Sequence, residues 1–528
     1  MPASASPNKW LITLSVSCGT LMGALDATIV NVAIPQIRGA IGATPEEITW
    51  ISTGFIIATV MMMPLAGFLG RLFGQKRAYL GCLAVFIVSS FLCGIAWDLP
   101  SLVAFRVLQG LGAGALLPIE QAILRQTFPP EEQGMAMAIF TMIVSVGPAF
   151  GPTLGGYIVA NFHWSWIFLI ILTIGAIGFL MVSSFVEEPE DVRAANQAAA
   201  RFERHNIDWT GVALLCVGLA SFQYVVAEGQ SHDWFDSRWI TAGTLISGLS
   251  LTAFVLHELT TPAPAVRLRL FKDMKFASGS LLAGLMFFVF VSSMFLLSLY
   301  MQEVLGFDAM DAGVAMLPRT VVMMILIPIL GRLYNRLPLR LLIVLGLLIS
   351  GWGVYQMSFF TLDSSSADIM ITMLLQGVGM SLLFVPLNTV ALEDVPRHQM
   401  ADGTGLNSLM RQIGSSLGLA VFANLLARYS TQAEVALSAH IVAGRPEVTE
   451  RLALAQGILG PRLGGAVADQ ASLHLLAATV ERQAVMLAFN RLFALAALLF
   501  LAVVPLLLFL RTSRAVQATA HATAGASE

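Results

Sequence analysis

Long apolar runs decide what this chain can fold into. A bilayer crossing needs about 20 predominantly apolar residues, and runs of that length, bounded by charges or by Pro and Gly, recur along the sequence. They predict about fourteen spans, at 11–34, 48–70, 78–97, 100–123, 135–160, 164–186, 209–227, 238–257, 276–301, 310–334, 339–360, 367–392, 403–428 and 491–511. Composition agrees: 57% of the 528 residues are apolar and 12% are charged, against about 25% charged in a soluble domain. An ordinary charged surface, a disordered chain, a disulfide scaffold and a basic nucleic-acid binder are excluded. The expected fold class is an all-α polytopic membrane protein. The first run, Trp10 to Pro35, is too long for a signal-peptide core. Cys18, Cys82, Cys93 and Cys216 sit inside apolar runs without metal-ligand spacing, and read as small buried hydrophobes.

Orientation follows from Lys and Arg, which favour cytoplasmic loops. With the N-terminus inside, the short cytoplasmic segments hold Lys9, Arg71, Lys76, Arg77, Arg125, Arg267, Arg332 and Arg397 among others. The short outer loops hold only Arg38 and Arg238, and carry acids such as Glu46, Asp98, Asp233 and Asp363. Both termini are therefore expected in the cytoplasm. A polar linker is expected at 187–208. The segment 429–490 falls outside as a periplasmic excursion with helical spacing from Ala466 to Asn490.

The spans repeat. Leu108-Gln109-Gly110-Leu111-Gly112 with Pro118 in span four matches Leu375-Gln376-Gly377-Val378-Gly379 with Pro386 in span twelve. Gly67-Phe68-Leu69 and Arg71 match Gly331-Arg332-Leu333 and Asn335. Spans one to six thus recur as nine to fourteen. The chain divides into an N-terminal six-helix bundle (10–186), the linker, two inserted helices (209–257), a C-terminal six-helix bundle (276–511) and a cytoplasmic tail (512–528). Two six-span halves are the build of a secondary transporter, with its site at their interface. The repeat also breaks: Asp26 maps onto Ser293, Arg106 onto Met373 and Glu120 onto Asn388. The coupling chemistry is therefore expected in the first half.

Charges inside the membrane cost at least about 2.5–3.5 kcal/mol each on insertion scales and mark function by default. Asp26, Arg106, Glu120, Arg319 and Arg411 are the strongest. Asp26 and Arg106 lie about 13 Å and 10 Å below the same membrane edge, so they can meet. Arg106, Gly110, Ala113, Leu117 and Glu120 fall on one stripe, which suits the wall of a central cavity. Asp26 and Glu120 read either as proton-exchanging or cation-binding carboxylates or, for Asp26 with Arg106, as a structural ion pair. Arg319 reads either as a residue near a helix end or as a further polar group of such a cavity. Asn31, Asn407 and Arg411 are further polar groups for such a cavity. Met61-Met62-Met63 and Met323-Met324 suit either a plastic cavity lining or lipid-facing positions.

Span five carries Gly147-Pro148-Ala149-Phe150-Gly151-Pro152-Thr153-Leu154-Gly155-Gly156. Small residues four apart permit close helix contact. The pattern g-x-x-x-G-P-x-x-G-G resembles the antiporter motif of major facilitator superfamily exporters. Arg106-x-x-Gln109-Gly110-x-Gly112 resembles the superfamily's fourth-span motif. Leu25 to Pro35, with Asp26 and Asn31, resembles the first-span motif of fourteen-span drug:proton antiporters. Asp208-Trp209-x-Gly211, Leu317-Pro318-Arg319 and Asn407-x-x-x-Arg411-Gln412-Ile413-Gly414 agree. The resemblance covers nearly the whole chain and points to the EmrB/QacA-type subfamily, closer to its EmrB side. The loop Gly67 to Arg77 resembles the superfamily signature G-x-L-a-D-r-x-G-r-k, with Gly67, Gly74 and Arg77 in place. Arg71 stands at the usual Asp position, and Asn335 does so in the second half. The signature's usual charge relay is thus altered, and Arg71 is expected to bind anionic lipid headgroups instead.

The resemblance implies proton-coupled multidrug efflux of hydrophobic or amphipathic compounds by alternating access in a bacterial inner membrane. Protons are the coupling ion, and no cofactor or metal is implied. It also implies a periplasmic adaptor and an outer-membrane channel as partners. A dedicated metabolite, fatty-acid or siderophore exporter is the alternative, and a non-transporting sensor is a third reading. No enzymatic set is visible. Gly414-Ser415-Ser416-Leu417-Gly418 imitates a nucleophile elbow but lies in a span, and no P-loop or H-E-x-x-H is present.

Overall fold

The structure is a computed structural model that describes residues 8–129, 132–203, 206–333, 337–442 and 445–505. All its regular elements are helical: α1 (Lys9–Ile41), α2 (Pro45–Ile48), α3 (Trp50–Met62), α4 (Ala66–Phe73), α5 (Gln75–Gly94), α6 (Leu99–Thr127), α7 (Gln133–Asn161), α8 (Trp166–Phe185), α9 (Glu190–Glu203), α10 (Trp209–Glu228), α11 (Arg238–Thr260), α12 (Met274–Leu299, continued by a π turn at Tyr300–Val304), α13 (Ala309–Leu333), α14 (Leu339–Met357), α15 (Ser366–Val390), α16 (Met400–Ser438), α17 (Pro446–Leu463) and α18 (Gly465–Val503).

Polar side chains set the helix starts. Asn8 accepts from the Trp10 amide at 3.1 Å to begin α1. Asp98 and Ser101 form a capping box at α6, and the Ser101 donors hold the Asp98 carboxyl below its ordinary range. Asp208 caps α10 through the Gly211 amide at 2.7 Å. Twelve of the described helices are long and apolar enough to cross a bilayer. The stretch Pro45–Phe73 adds a span bent by 57° where α3 gives way to α4. Pro64 lies in that break and has no N–H for the helical ladder. Helix α7 has 29 residues, also a spanning length.

The two halves pack by one plan. In the first, α1 lies against α7 and α8, α3 against α6, and α5 against α6 and α8; in the second, α12 lies against α16 and α18, α13 against α15, and α14 against α15 and α18. Matching glycines make the matching contacts. A Cβ on Gly110 would strike α3 at the Phe55 carbonyl, and one on Gly377 would strike α13 at that of Arg319. Each half has apolar cores of its own, one in the second around Phe422, Phe489 and Phe493, and two in the first around Phe86 and Phe168. The inserted helices α10 and α11 pair with each other, and α10 rests on α3 and α16.

Direct hydrogen bonds between the halves gather at the face bearing Arg71, Arg125 and Arg397. Arg125 Nη2 donates to the Asn388 carbonyl at 2.7 Å, Gln126 Nε2 to that of Arg397 at 2.7 Å, and Thr404 Oγ1 to that of Pro118 at 2.7 Å. That basic face is therefore shut.

Two segments outside the predicted spans contain helices. The polar stretch 187–208 contains α9, which packs on α4. In the stretch 429–490, α16 runs on to Ser438, and α18 is one helix from Gly465 to Val503. Asn335 and the tail 512–528 lie outside the described residues.

Candidate functional site

Three helices of the first half build the site. Arg106 of α6 reaches α1, where its Nη1 donates to Asp26 Oδ2 at 2.6 Å, and its Nε donates to the Ile51 carbonyl of α3 at 3.2 Å. Gln109, one turn on, donates from Nε2 to the other carboxylate oxygen, Asp26 Oδ1, at 3.1 Å, and its Oε1 accepts from Arg106 at 2.6 Å. The Phe55 ring covers the guanidinium, 4.3 Å from its centre. Asp26 is 0% exposed and Arg106 1%. Both oxygens of Asp26 are taken by groups that only donate, a set that suits the ionised acid.

Glu120 lies further along α6 and is also 0% exposed. Its partners are two hydroxyls of α1: Ser17 Oγ at 2.8 Å on Oε1, and Thr20 Oγ1 on Oε2. No cation pairs with it among the described residues. A hydroxyl can donate to a carboxylate or accept from a carboxylic acid. The Glu120 site therefore accommodates either protonation state without repacking, which the Asp26 site does not.

Three residues of the stripe, Arg106, Gly110 and Glu120, do not line an open cavity: they are buried against α1 and α3 inside the first bundle, while Ala113 and Leu117 between them keep partial exposure. Gly110 and Gly114 seat α6 on the α3 backbone at Phe55 and Thr59, and both acids are sealed against α1. Helix spacing gave the face correctly, but it could not say whether another helix covers it.

The glycine motif of α7 is a helix seat. A Cβ on Gly147 would come within 2.6 Å of the Ala24 carbonyl carbon, one on Gly151 would strike the Thr28 side chain, and one on Gly155 would lie 3.2 Å from the Ile29 carbonyl oxygen. Thr28 Oγ1 also donates to the Gly147 carbonyl at 3.1 Å. Gly156 has nothing within 4 Å. The Pro152 side chain lies outside the described residues.

The Arg71 loop corrects a second expectation. Arg71 is not at the lipid surface: it is 3% exposed, and its guanidinium pairs with Asp402 in the first turn of α16. Gly67 permits this, because a Cβ there would fall 2.7 Å from the Asp402 Cα. Gly74 turns the chain at φ +86°, where a Cβ would meet Glu188 Oε1 at 2.9 Å. Arg77 is exposed. Asp402 was missed in the sequence; its signal was an acid in the first turn of a span on the basic side.

In the second half, Asn388 Oδ1 accepts from Arg411 Nη1 at 2.7 Å, and Ser408 Oγ accepts from Nη2 at 3.0 Å. Arg319 sits near the middle of α13, not at its end. Asn407 is buried with neither amide atom partnered among the described residues, whereas Asn31 is exposed and its Oδ1 accepts from Ser52 Oγ at 3.3 Å. Gln376, the counterpart of Gln109, has neither amide atom bonded among the described residues. The repeat explains it: the Asp and Arg that Gln109 serves are Ser293 and Met373 in this half.

Comparison with known proteins follows the same outline. The family described as Major Facilitator Superfamily matches residues 16–419. The multidrug export protein EmrB of Haemophilus influenzae is 36% identical over 409 residues, covering 77% of this chain and 78% of that protein. The fatty acid resistance protein FarB of Neisseria gonorrhoeae is 32% identical over 507 residues, 96% of each chain. The solved structure of the human organic anion transporter MFSD10 aligns with a TM-score of 0.58 at 15% identity, covering 94% of this chain and all of that one, a likeness of fold.

Proposed function

The chain belongs to the major facilitator superfamily, and from that premise we propose that it is a proton-coupled antiporter exporting hydrophobic or amphipathic compounds. It is a multi-pass membrane protein, placed in this reading in a bacterial inner membrane with both termini cytoplasmic. The shut basic face is then the cytoplasmic one, and alternating access would open it as the two bundles rock.

One observation carries the coupling: Glu120 is a sealed intramembrane acid whose partners among the described residues are hydroxyls alone. We assign it the exchanged proton. Asp26 and Arg106 form the ion pair that fixes α1 on α6 and passes movement between them. The relatives named for multidrug export favour broad drug efflux over dedicated fatty-acid export.

The test is substrate-triggered proton release from acidified inside-out vesicles, using lipophilic cations and weak acids. Wild type should alkalinise the lumen, and Glu120→Gln should not. Release that survives Glu120→Gln and vanishes in Asp26→Asn would move the proton to Asp26. No release with any compound would refute antiport.

The adaptor belongs to this proposal as well. Helices α17 and α18 carry exposed Leu454, Ile458, Leu473 and Leu475, on the side a periplasmic adaptor would approach. An outer-membrane channel would complete the pump.

A further inference from the structure

Two buried acids meet where the inserted helices reach the basic face. Asp208 begins α10, and Glu258 stands in the last turn of α11. Glu258 is 1% exposed and the Asp208 side chain 4%. Gly211 lets them meet: a Cβ there would strike Asp208 Oδ2 and lie 2.8 Å from Glu258 Oε1. Asp208 Oδ2 and Glu258 Oε2 are both buried without a hydrogen-bond partner among the described residues. Asp26 and Glu120, by contrast, have a donor on each carboxyl oxygen.

Two carboxylates in one site do not both ionise at ordinary cost, so a proton belongs between them. The geometry gives it an owner. Asp208 Oδ1 accepts from the Gly211 amide at 2.7 Å and lies 2.7 Å from His257 Nε2. It also sits at a helix N-terminus, which suits an anion. Glu258 has one donor among the described residues, the Val266 amide at 3.2 Å on Oε1. It sits at a helix C-terminus, which disfavours negative charge. Glu258 is therefore the acid that suits the proton. His257, with its side chain 32% exposed, is the open edge of the site.

The site touches the contact that ties the bundles. Val266, which Glu258 holds, follows Pro264 and Ala265, whose carbonyls accept from Arg71 Nη2 at 3.0 and 3.1 Å. Arg71 in turn pairs with Asp402. Arg267 Nε stands 3.9 Å from Asp402 Oδ2, while Arg269 and Lys272 are exposed. The charged groups around Glu258 are thus Asp208 of α10, His257 of α11 and Arg71 of α4, with Arg267 and Asp402 of α16 beyond them.

We propose that Asp208 and Glu258 form a second proton-binding site, separate from Glu120, whose occupancy holds the Arg71–Asp402 latch. With the proton on Glu258, Arg71 has Asp402 as its acid. When the proton leaves, Glu258 becomes an anion on the same 264–266 turn and competes with Asp402 for the guanidinium. The latch therefore holds at low pH and weakens as pH rises through the titration of the pair. On the cytoplasmic side, acidification then keeps the antiporter shut at that face. Only this last consequence rests on the proposed transport and orientation.

The experiment is the distance between spin labels at exposed Phe73 and Glu393, measured on the full chain in lipid nanodiscs without substrate or proton gradient, from about pH 5 to about pH 9. The wild-type distance should lengthen as pH rises. Glu258→Gln, which keeps a carbonyl oxygen for the Val266 amide, should stay short throughout. Asp208→Asn keeps a capping side chain for α10 and removes the neighbouring charge, so its opening should move about one pH unit or more lower. A merely structural Asp208 would leave that midpoint in place. Glu120→Gln should respond as wild type does. A wild-type distance indifferent to pH, a response that survives in Glu258→Gln, or one lost in Glu120→Gln overturns the proposal. Should Glu258→Gln not fold, the Asp208→Asn midpoint decides alone, and an unmoved midpoint overturns it. Proton release from vesicles tests antiport separately. No release for any compound, with the pH-dependent distance intact, refutes antiport and keeps this site. Release with a distance indifferent to pH keeps antiport and refutes the site.

Discussion

The guanidinium of Arg71, in the first bundle, is ion-paired with the carboxylate of Asp402, in the second, and both side chains are almost wholly buried. Arg71 Nη2 also donates to the carbonyls of Pro264 and Ala265, at 3.0 and 3.1 Å. One residue therefore ties together both bundles and the segment that follows the inserted helices. Removing one partner of a buried pair costs about 3–5 kcal/mol. Arg71→Gln should therefore shift the protein toward states open at the basic face. Spin labels at exposed Phe73 and Glu393, one on each bundle, should report longer distances. Arg71→Asp with Asp402→Arg should restore the short distance and transport together. Unchanged distances in Arg71→Gln would show that the pair does not hold this face shut.

The two acids of the first bundle should differ in stability. Asp26→Asn leaves Arg106 buried without a counter-charge, a loss of about 3–5 kcal/mol. Glu120→Gln strands no cation, and its amide can still use Ser17 and Thr20, so the change should stay within about 1 kcal/mol. Thermal melting of the purified variants checks this. An equal fall in both would mean that Glu120 also holds the bundle together.

The glycine motif of α7 should not respond uniformly. Gly147→Ala places a methyl against the Ala24 backbone and should part α1 from α7, with loss of folded protein. Gly156→Ala enters open space and should be neutral, or stabilising by about 0.5–1 kcal/mol because Ala favours helix. Expression yield and melting temperature of the pair decide it; equal sensitivity would refute the helix-seat account.

Deleting α17, residues 446–463, should abolish resistance in cells while sparing proton release in vesicles, if this excursion serves an adaptor. Its contacts are chiefly with α18, so the bundles keep their cores. Equal loss in both assays would count against docking.

Much of this could be read in the chain before folding. The apolar runs gave the helices, because a bilayer leaves a backbone no other open-ended way to satisfy its hydrogen bonds. Glycine spacing marked α7 as a packing helix, and the internal repeat gave two bundles of like plan. The meeting of Asp26 and Arg106 followed from depth along two helices, since rise per residue is fixed. Even the orphaned amide of Gln376 has its cause in the sequence, at Ser293 and Met373.

What the tertiary structure decided was the partner of each charge. Arg71 and Asp402 stand 331 positions apart, and no local period relates them. Whether the α6 stripe faced a cavity or α1, and whether Arg319 met an acid or a ring, depended on the rotation of each helix about its axis and on how the bundles dock. A turn of one residue, about 100°, carries a side chain to a different neighbour. Hydropathy is summed over a span and survives such a turn, whereas a hydrogen bond is lost within about 1 Å. The sequence by itself therefore determined the membrane fold and the inventory of charges, and only packing determined which of those charges are paired with an opposite charge, which are shared between bundles and which meet only neutral groups among the described residues.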